Sequence, residues 1–133
     1  MKKYALIFMS IIVMLGFSSC KKEEGKGGRA SIRGSVYAND YNASFTQLLN
    51  SYYAPEEDVY IIYGDNEFYD DNVETDPNGL FEFKNLRKGK YTIFVYSKDS
   101  TGTVPSGVTA LSIDAEITEK EETVTLPDFT IVK

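Results

Sequence analysis

Cys20 is the residue whose chemistry is best defined by its surroundings, because it is the only thiol and directly follows an apolar segment. Lys2 and Lys3 give the chain a positive start, and residues 4–17 are apolar apart from Ser10. Small residues then stand next to the cysteine. A positive start, a short apolar run and small residues at the cut are typical of a signal peptide. The run is also shorter than the roughly 20 residues that a membrane-spanning helix needs.

Residues 17–20 resemble the lipobox of bacterial lipoproteins, with Phe17 where such boxes usually carry leucine. In that family a peptidase cuts directly before the cysteine, whose thiol already carries a diacylglycerol. The resemblance implies that residues 1–19 are a signal peptide that is removed. It also implies that Cys20 is the site of lipid attachment and anchors the protein to a membrane. A plain secretory signal without the lipid is the alternative.

Lys22, Glu23 and Glu24 resemble the surface-export signal of Bacteroidota lipoproteins, a lysine followed by two acids. The resemblance implies a lipid-anchored protein of the outer membrane that is exposed on the cell surface. A periplasm-facing protein is the alternative. Charged residues beside glycines also suit a solvated spacer. We therefore assign residues 20–28 to the lipidated cysteine and a flexible linker, and residues 29–133 to one folded domain.

The chain contains no histidine, and its one cysteine is assigned to the lipid. Ser-His-Asp and Cys-His catalysis are therefore excluded, and zinc sites of the usual Cys/His type cannot form. A pair of carboxylates could still support glycosidase chemistry. However, the acids fall in loops and at outward strand positions, where solvation is their ordinary role. We predict that the protein is not an enzyme and has no cofactor.

The segment 65–76 concentrates oxygen donors that calcium could use, since this ion prefers about six to eight such ligands. Its spacing fits no EF-hand loop, and acidic turns on exported sandwiches are usually just solvated. We predict no metal site, with calcium at this segment as the alternative. The donors are Asp65, Asn66, Glu67, Asp70, Asp71 and Asp76.

The charge restricts the possible partners. Removing Lys2 and Lys3 with the signal peptide changes the net charge from −6 to −8. Phosphate backbones repel an acidic domain, so we predict no nucleic-acid binding. Anionic membrane surfaces repel it as well, so the lipid must supply the anchor.

From Arg29 onward, short segments of alternating apolar and polar residues are separated by turn residues, which is typical of an all-β sandwich. Asp-Pro-Asn-Gly at 76–79 predicts a tight turn. Pro127 lies inside the last segment and indicates an edge position or a bulge. The predicted strands cover residues 31–36, 59–63, 68–75, 81–84, 91–96, 108–117 and 123–132.

One segment follows a helical period instead. Its apolar residues fall at i, i+3, i+4, i+7 and i+8, Ser44 or Asn42 could cap its start, and Pro55 lies beyond its end. We predict a short helix near residues 44–53, which must pack on the domain to be stable. The apolar residues are Phe45, Leu48, Leu49, Tyr52 and Tyr53.

Several backbone motifs occur along the domain: G-x-V at 34–36, V-x-I at 59–61, D-x-x-G-x-F at 76–81 and L-x-x-G-x-Y-x-I at 86–93. Together they resemble the carboxypeptidase regulatory-like, or transthyretin-like, superfamily. The resemblance covers about 100 residues and implies a seven-stranded Greek-key (prealbumin-like) sandwich. It implies no activity, because these motifs describe the backbone.

The topology of that family implies that strands 59–63 and 91–95 are neighbours in one sheet. Tyr60, Ile62, Phe94 and Tyr96 would then share an outer face. Monomeric proteins rarely expose an apolar patch of this kind. We predict that the apolar side of the 44–53 helix covers it, and an open aromatic surface for a ligand is the alternative.

Two functions remain open at this point. The first is a non-catalytic structural or adaptor module that contacts another envelope protein, through an edge strand such as the one after Pro127. The second is a binding module for an extracellular glycan or peptide, which uses tyrosines as contact surfaces. Exposed tyrosines on one open surface would favour the second function.

Overall fold

The computed structural model describes residues 23–133, which form nine β-strands and no helix. The strands are β1 (Lys26–Tyr41), β2 (Leu48–Tyr53), β3 (Asp58–Tyr63), β4 (Asp71–Glu74), β5 (Leu80–Leu86), β6 (Gly89–Lys98), β7 (Val108–Ile117), β8 (Thr123–Thr125) and β9 (Phe129–Val132). Within these residues, no helix is long and apolar enough to cross a membrane. The predicted signal peptide, Cys20 and Lys22 lie outside the described residues.

The long strand β1 organises one of the two sheets. Its first part pairs antiparallel with β5 and parallel with β8, and its last part pairs antiparallel with β2 and parallel with β9. The other four strands form an antiparallel sheet in the order β4-β3-β6-β7. The protein is therefore an all-β sandwich, with its core between the inner faces of the two sheets.

Alternation along the strands decides which side chains form the core. Ile32 and Val36 of β1 are fully buried, as is Ile131 of β9. The other sheet contributes five buried residues to the same core. Burying an aliphatic side chain of this size stabilises a fold by about 1.5–3 kcal/mol. These inward residues are Val59, Ile61, Tyr91, Ile93 and Val95.

The predicted helix near residues 44–53 is wrong, because the chain forms β2 there. This strand pairs antiparallel with the last part of β1, and Tyr53 lies opposite Tyr37. A helix of three turns would depend on packing for its stability. The strand instead completes a hydrogen-bonded ladder with a neighbour that is already in place. Leu48 and Leu49, expected on a packing face, are 49% and 59% exposed.

Asn42 holds the turn that connects β1 to β2. Its Oδ1 accepts hydrogen bonds from the backbone N–H groups of Thr46 (2.9 Å) and Gln47 (3.2 Å). Asparagine is common in turns because its side chain can bond the backbone a few residues away. The residue that could have capped a helix therefore closes a hairpin.

Three boundaries also differ from the prediction. β1 begins at Lys26, so residues 26–28 belong to the folded domain and not to the linker predicted for residues 20–28. The third predicted strand begins at Asp71. The last predicted strand is two strands, β8 and β9, which are separated around Pro127 because proline removes a ladder donor. Residues 23–133 therefore form nine strands, whereas the resemblance implied seven.

Candidate ligand-binding face

The outer face of the β4-β3-β6-β7 sheet carries aromatic side chains from two neighbouring strands. Tyr60 of β3 is paired with Phe94 of β6, and such cross-strand partners project from the same face. Their rings are stacked, with centroids 5.0 Å apart and planes inclined by 13°. This stacked pair forms the centre of the candidate site.

Tyr96 and Tyr69 complete a cluster that we call the aromatic platform (Tyr60, Tyr69, Phe94 and Tyr96). Tyr96 lies two residues beyond Phe94 on β6 and therefore shares its face. The Tyr96 ring centroid is 5.6 Å from those of Tyr60 and Phe94, and the Tyr69 centroid is 4.8 Å from that of Tyr60. Tyr96 is 51% exposed and Tyr69 is 54% exposed. About half of each side chain is therefore available to a ligand.

Tyr69 belongs to the loop between β3 and β4, and Asp70 fixes that loop. The backbone N–H of Asp70 donates to the carbonyl of Ile61 (2.8 Å). Its carboxylate accepts hydrogen bonds from the N–H of Tyr63 (2.7 Å) and the side-chain amide of Asn66 (2.9 Å). The chain folds back beside β3 and brings Tyr69 to the platform.

Three of the acids considered above as calcium ligands have structural partners. Asp70 holds the loop, Asp71 forms an ion pair with Lys26 (2.8 Å), and Asp76 accepts two backbone N–H groups of the following turn (2.8 and 3.0 Å). In the described part of the chain, no group of three or more acidic, cysteine or histidine side chains is placed to hold a metal ion. Asp70, Asp71 and Asp76 therefore stabilise the loop and the turn through these contacts.

Polar groups surround the aromatic platform. β4 places Asn72 opposite Tyr60, and β7 places Ser112 opposite Phe94. Within residues 23–133, the tyrosine hydroxyls that form hydrogen bonds are those of Tyr53 and Tyr91. The hydroxyls of the platform are consequently open to a ligand, and each can donate one hydrogen bond and accept others.

The electrostatics of the platform favour some ligands over others. Burial raises the pKa of Tyr60 above 10.0, and the carboxylate of Asp58, on the same face, raises it further. The phenol is therefore neutral and a hydrogen-bond donor at pH 7. Asp114 adds a second carboxylate at the β7 side, where it accepts a hydrogen bond from Thr92 (2.9 Å). Carboxylates at the rim disfavour an anionic ligand.

The sequence correctly predicted that these aromatic residues share an outer face, but the prediction that segment 44–53 covers this face was wrong. Tyr60, Phe94 and Tyr96 do share one outer face, but segment 44–53 forms strand β2 of the other sheet and does not cover it. Tyr69 was not predicted as part of the site, because the sequence placed it in a strand over residues 68–75, whereas it lies in the loop before β4. The available signal was Gly64 with the turn residues after it, which predicts that the chain reverses there.

The two acids of the predicted export signal contact the folded domain. The backbone carbonyl of Glu23 accepts a hydrogen bond from the guanidinium of Arg87 (3.3 Å). The carboxylate of Glu24 accepts one from the backbone N–H of Lys90 (3.4 Å). Both partners lie where the chain turns from β5 into β6.

No protein-family model matches the chain, and no curated protein matches it. Among solved structures, the chain is similar to a proposed carbohydrate binding protein from Pseudomonas aeruginosa, with 13% sequence identity and a TM-score of 0.47. The similarity covers 82% of this chain and 91% of that one. A similarity of this size does not bear on the ligand of this protein.

Proposed function

We propose that this protein is a non-catalytic, lipid-anchored binding module of the outer membrane that holds an extracellular glycan or peptide on the aromatic platform. One observation carries the proposal: four aromatic rings from two strands and a loop form one cluster that is open to solvent. Binding sites combine apolar and aromatic surface with a few convergent polar groups. Exposed tyrosines are also well suited to recognition, since each joins a rigid ring to a polar tip.

An uncharged glycan is the ligand class that the surroundings of the platform favour. The C–H face of a sugar ring can pack on an aromatic ring, while its hydroxyls bond to phenols, amides and carboxylates. Tyr60, Asn72 and Ser112 supply such polar groups within one face. The carboxylates of Asp58 and Asp114 suit a ligand rich in hydroxyls and repel an acidic one.

The lipid anchor, the outer-membrane location and the family are parts of the same proposal. The similarity of residues 17–20 to a lipobox supports lipid attachment at Cys20. The similarity of Lys22, Glu23 and Glu24 to an export signal supports exposure on the cell surface. The backbone motifs support a Greek-key, prealbumin-like domain of the carboxypeptidase regulatory-like group. The net charge of −8 after removal of Lys2 and Lys3, against −6 for the whole chain, disfavours nucleic acid as a partner.

Affinity electrophoresis in gels that contain neutral or anionic polysaccharides tests this function. Tyr96→Ala and Tyr69→Ala should each weaken binding to a neutral polysaccharide about tenfold, because truncating a central aromatic contact commonly costs more than about 1 kcal/mol. Tyr53→Ala is the matched control, since Tyr53 is 48% exposed but lies on the other sheet. Wild-type affinity in both platform variants, or binding to acidic polysaccharides alone, would refute the glycan site.

The adaptor role is the second candidate, and β2 is the feature that favours it. β2 is an edge strand with exposed Leu48 and Leu49, and residues 48–53 include no charged residue or proline. Edges of this type can pair with a strand of another protein. If the protein is an adaptor, the Tyr96→Ala variant should still bind the partner protein and the Leu49→Lys variant should not. A ligand site on the aromatic platform predicts the opposite: binding is weakened by Tyr96→Ala and kept in Leu49→Lys.

A further inference from the structure

The first described residues are fixed to one end of the sandwich. The N–H of Gly25 donates to the hydroxyl of Tyr91 (2.9 Å), and its carbonyl accepts from the backbone N–H of Arg87 (2.8 Å). Gly25 is buried. Glu23 is bonded to Arg87 as well. The chain therefore leaves the domain at a defined place, beside the start of β6.

This attachment makes the proposed tether very short. Cys20 lies three residues before Glu23, so the two residues can be at most about 10 Å apart even in a fully extended chain. A lipid on Cys20, which is part of the proposed function, holds that residue at the membrane surface. The end of the sandwich where the chain leaves must then lie against the lipid headgroups. We call it the anchored end.

The loop between β3 and β4 starts at the anchored end. Gly64, its first residue, is so close to Glu24 that an added Cβ would lie 2.9 Å from the carboxylate. Phe68 is in the same loop and is 77% exposed, more than any other large hydrophobic side chain in the described part of the chain. An aromatic side chain in this position loses contact with water only when something outside the domain covers it.

We propose that residues 64–68, the first part of this loop, form a membrane contact and that Phe68 inserts into the lipid headgroup region beside the acylated Cys20. The length of the tether and the place where it leaves the domain identify the lipid surface as the occupant. Asp65 and Glu67 lie in the same loop. Anionic lipids would repel these carboxylates, so the contact depends on the apolar ring of Phe68 and not on lipid charge. The second contact restricts the tilt of the domain, which an anchor at Cys20 alone leaves free.

Labelling with an environment-sensitive fluorophore tests the contact in the full lipidated protein on phosphatidylcholine vesicles. Because the lipid occupies the Cys20 thiol, Phe68→Cys provides one reactive thiol. Ser100→Cys is the control, since Ser100 is exposed in the loop between β6 and β7, at the opposite end of β6 from the anchor. We expect a blue shift and strong quenching by spin-labelled lipids at position 68, and water-like emission without quenching at position 100.

The possible failures are distinguishable. A mass spectrum that shows an unmodified Cys20 would overturn both the anchor and the membrane contact. A lipidated protein whose label at position 68 stays unquenched would overturn the contact alone and leave the binding function intact. Phe68→Ser should bind the neutral polysaccharide as wild type does. A tenfold loss in that variant would assign Phe68 to the ligand site and refute its role at the membrane.

Discussion

Tyr91 fixes Gly25 to the sandwich, and Tyr91→Phe tests that role while keeping the packing of the ring. The lost hydroxyl accepts a hydrogen bond from Gly25 (2.9 Å) and donates one to the carbonyl of Arg87 (2.7 Å). Tyr91 is 1% exposed, so water cannot readily replace these bonds. A buried donor left without a partner costs about 1–3 kcal/mol. At about 4 °C per kcal/mol for a domain of this size, the melting temperature should fall by about 4–12 °C.

Tyr63→Phe is the matched control for that experiment. The ring of Tyr63 lies 5.8 Å from that of Tyr91 between centroids, but its hydroxyl has no hydrogen bond within residues 23–133. Its removal should cost less than about 0.5 kcal/mol. Thermal unfolding followed by circular dichroism gives both costs, and hydrogen exchange of the Gly25 N–H reports local release of the tether. Equal melting temperatures for the two variants, or unchanged protection of Gly25, would refute the role of the hydroxyl.

Two further predictions concern the backbone of β1 and the loop after β6. A Cβ at Gly28 would overlap the carbonyl oxygen of Leu86, so Gly28→Ala should cost about 3 kcal/mol or more in urea unfolding. Gly102 is the control: its φ is 69°, but a Cβ added there would meet no atom within 4 Å. Gly102→Ala should therefore lower the free energy of unfolding by only about 1–2 kcal/mol. Equal losses of stability in the two variants would contradict the clash at Gly28. In the loop, a hydrogen bond from the hydroxyl of Thr101, together with backbone N–H groups of Val104 and Thr101, lowers the pKa of Asp99 to about 2. The native-state pKa is depressed, so this contribution to loop order is complete above about pH 4 and is lost as the pH falls toward 2. The NMR shift of the Val104 N–H should follow that transition, and a midpoint near pH 4 would show that the bonds are absent in solution.

The strands of the β4-β3-β6-β7 sheet were predictable because their side chains alternate in a pattern that burial enforces. A shift of one residue would turn Val59 and Ile61 to solvent and bury Tyr60, so the register has one favourable solution. The same alternation places Tyr60 and Phe94 on one outer face. The centre of the candidate site therefore follows from local alternation together with the pairing of two neighbouring strands.

Segment 44–53 was not predictable in the same way, because its pattern suits two structures. The spacing of its apolar residues matches a helical stripe, yet the same residues pair with β1 once that strand extends to Tyr41. The length of β1 depends on contacts with β5, β8 and β9 that are distant in sequence. Tertiary pairing therefore decided between two locally acceptable conformations, and Leu48 and Leu49 became exposed as a result.

In the proposed arrangement, one end of the β4-β3-β6-β7 sheet contacts the membrane, and the outer face of the same sheet carries the ligand site. Strand β6 starts at the anchored end, so each residue along it lies about 3.4 Å farther from the membrane. By that rise, Phe94 and Tyr96 lie about 10–20 Å beyond Tyr91, the residue that holds the tether. The platform then faces sideways, and a glycan that crosses β3 and β6 runs parallel to the bilayer without meeting it. A lipid anchor on a longer tether would leave this orientation undefined.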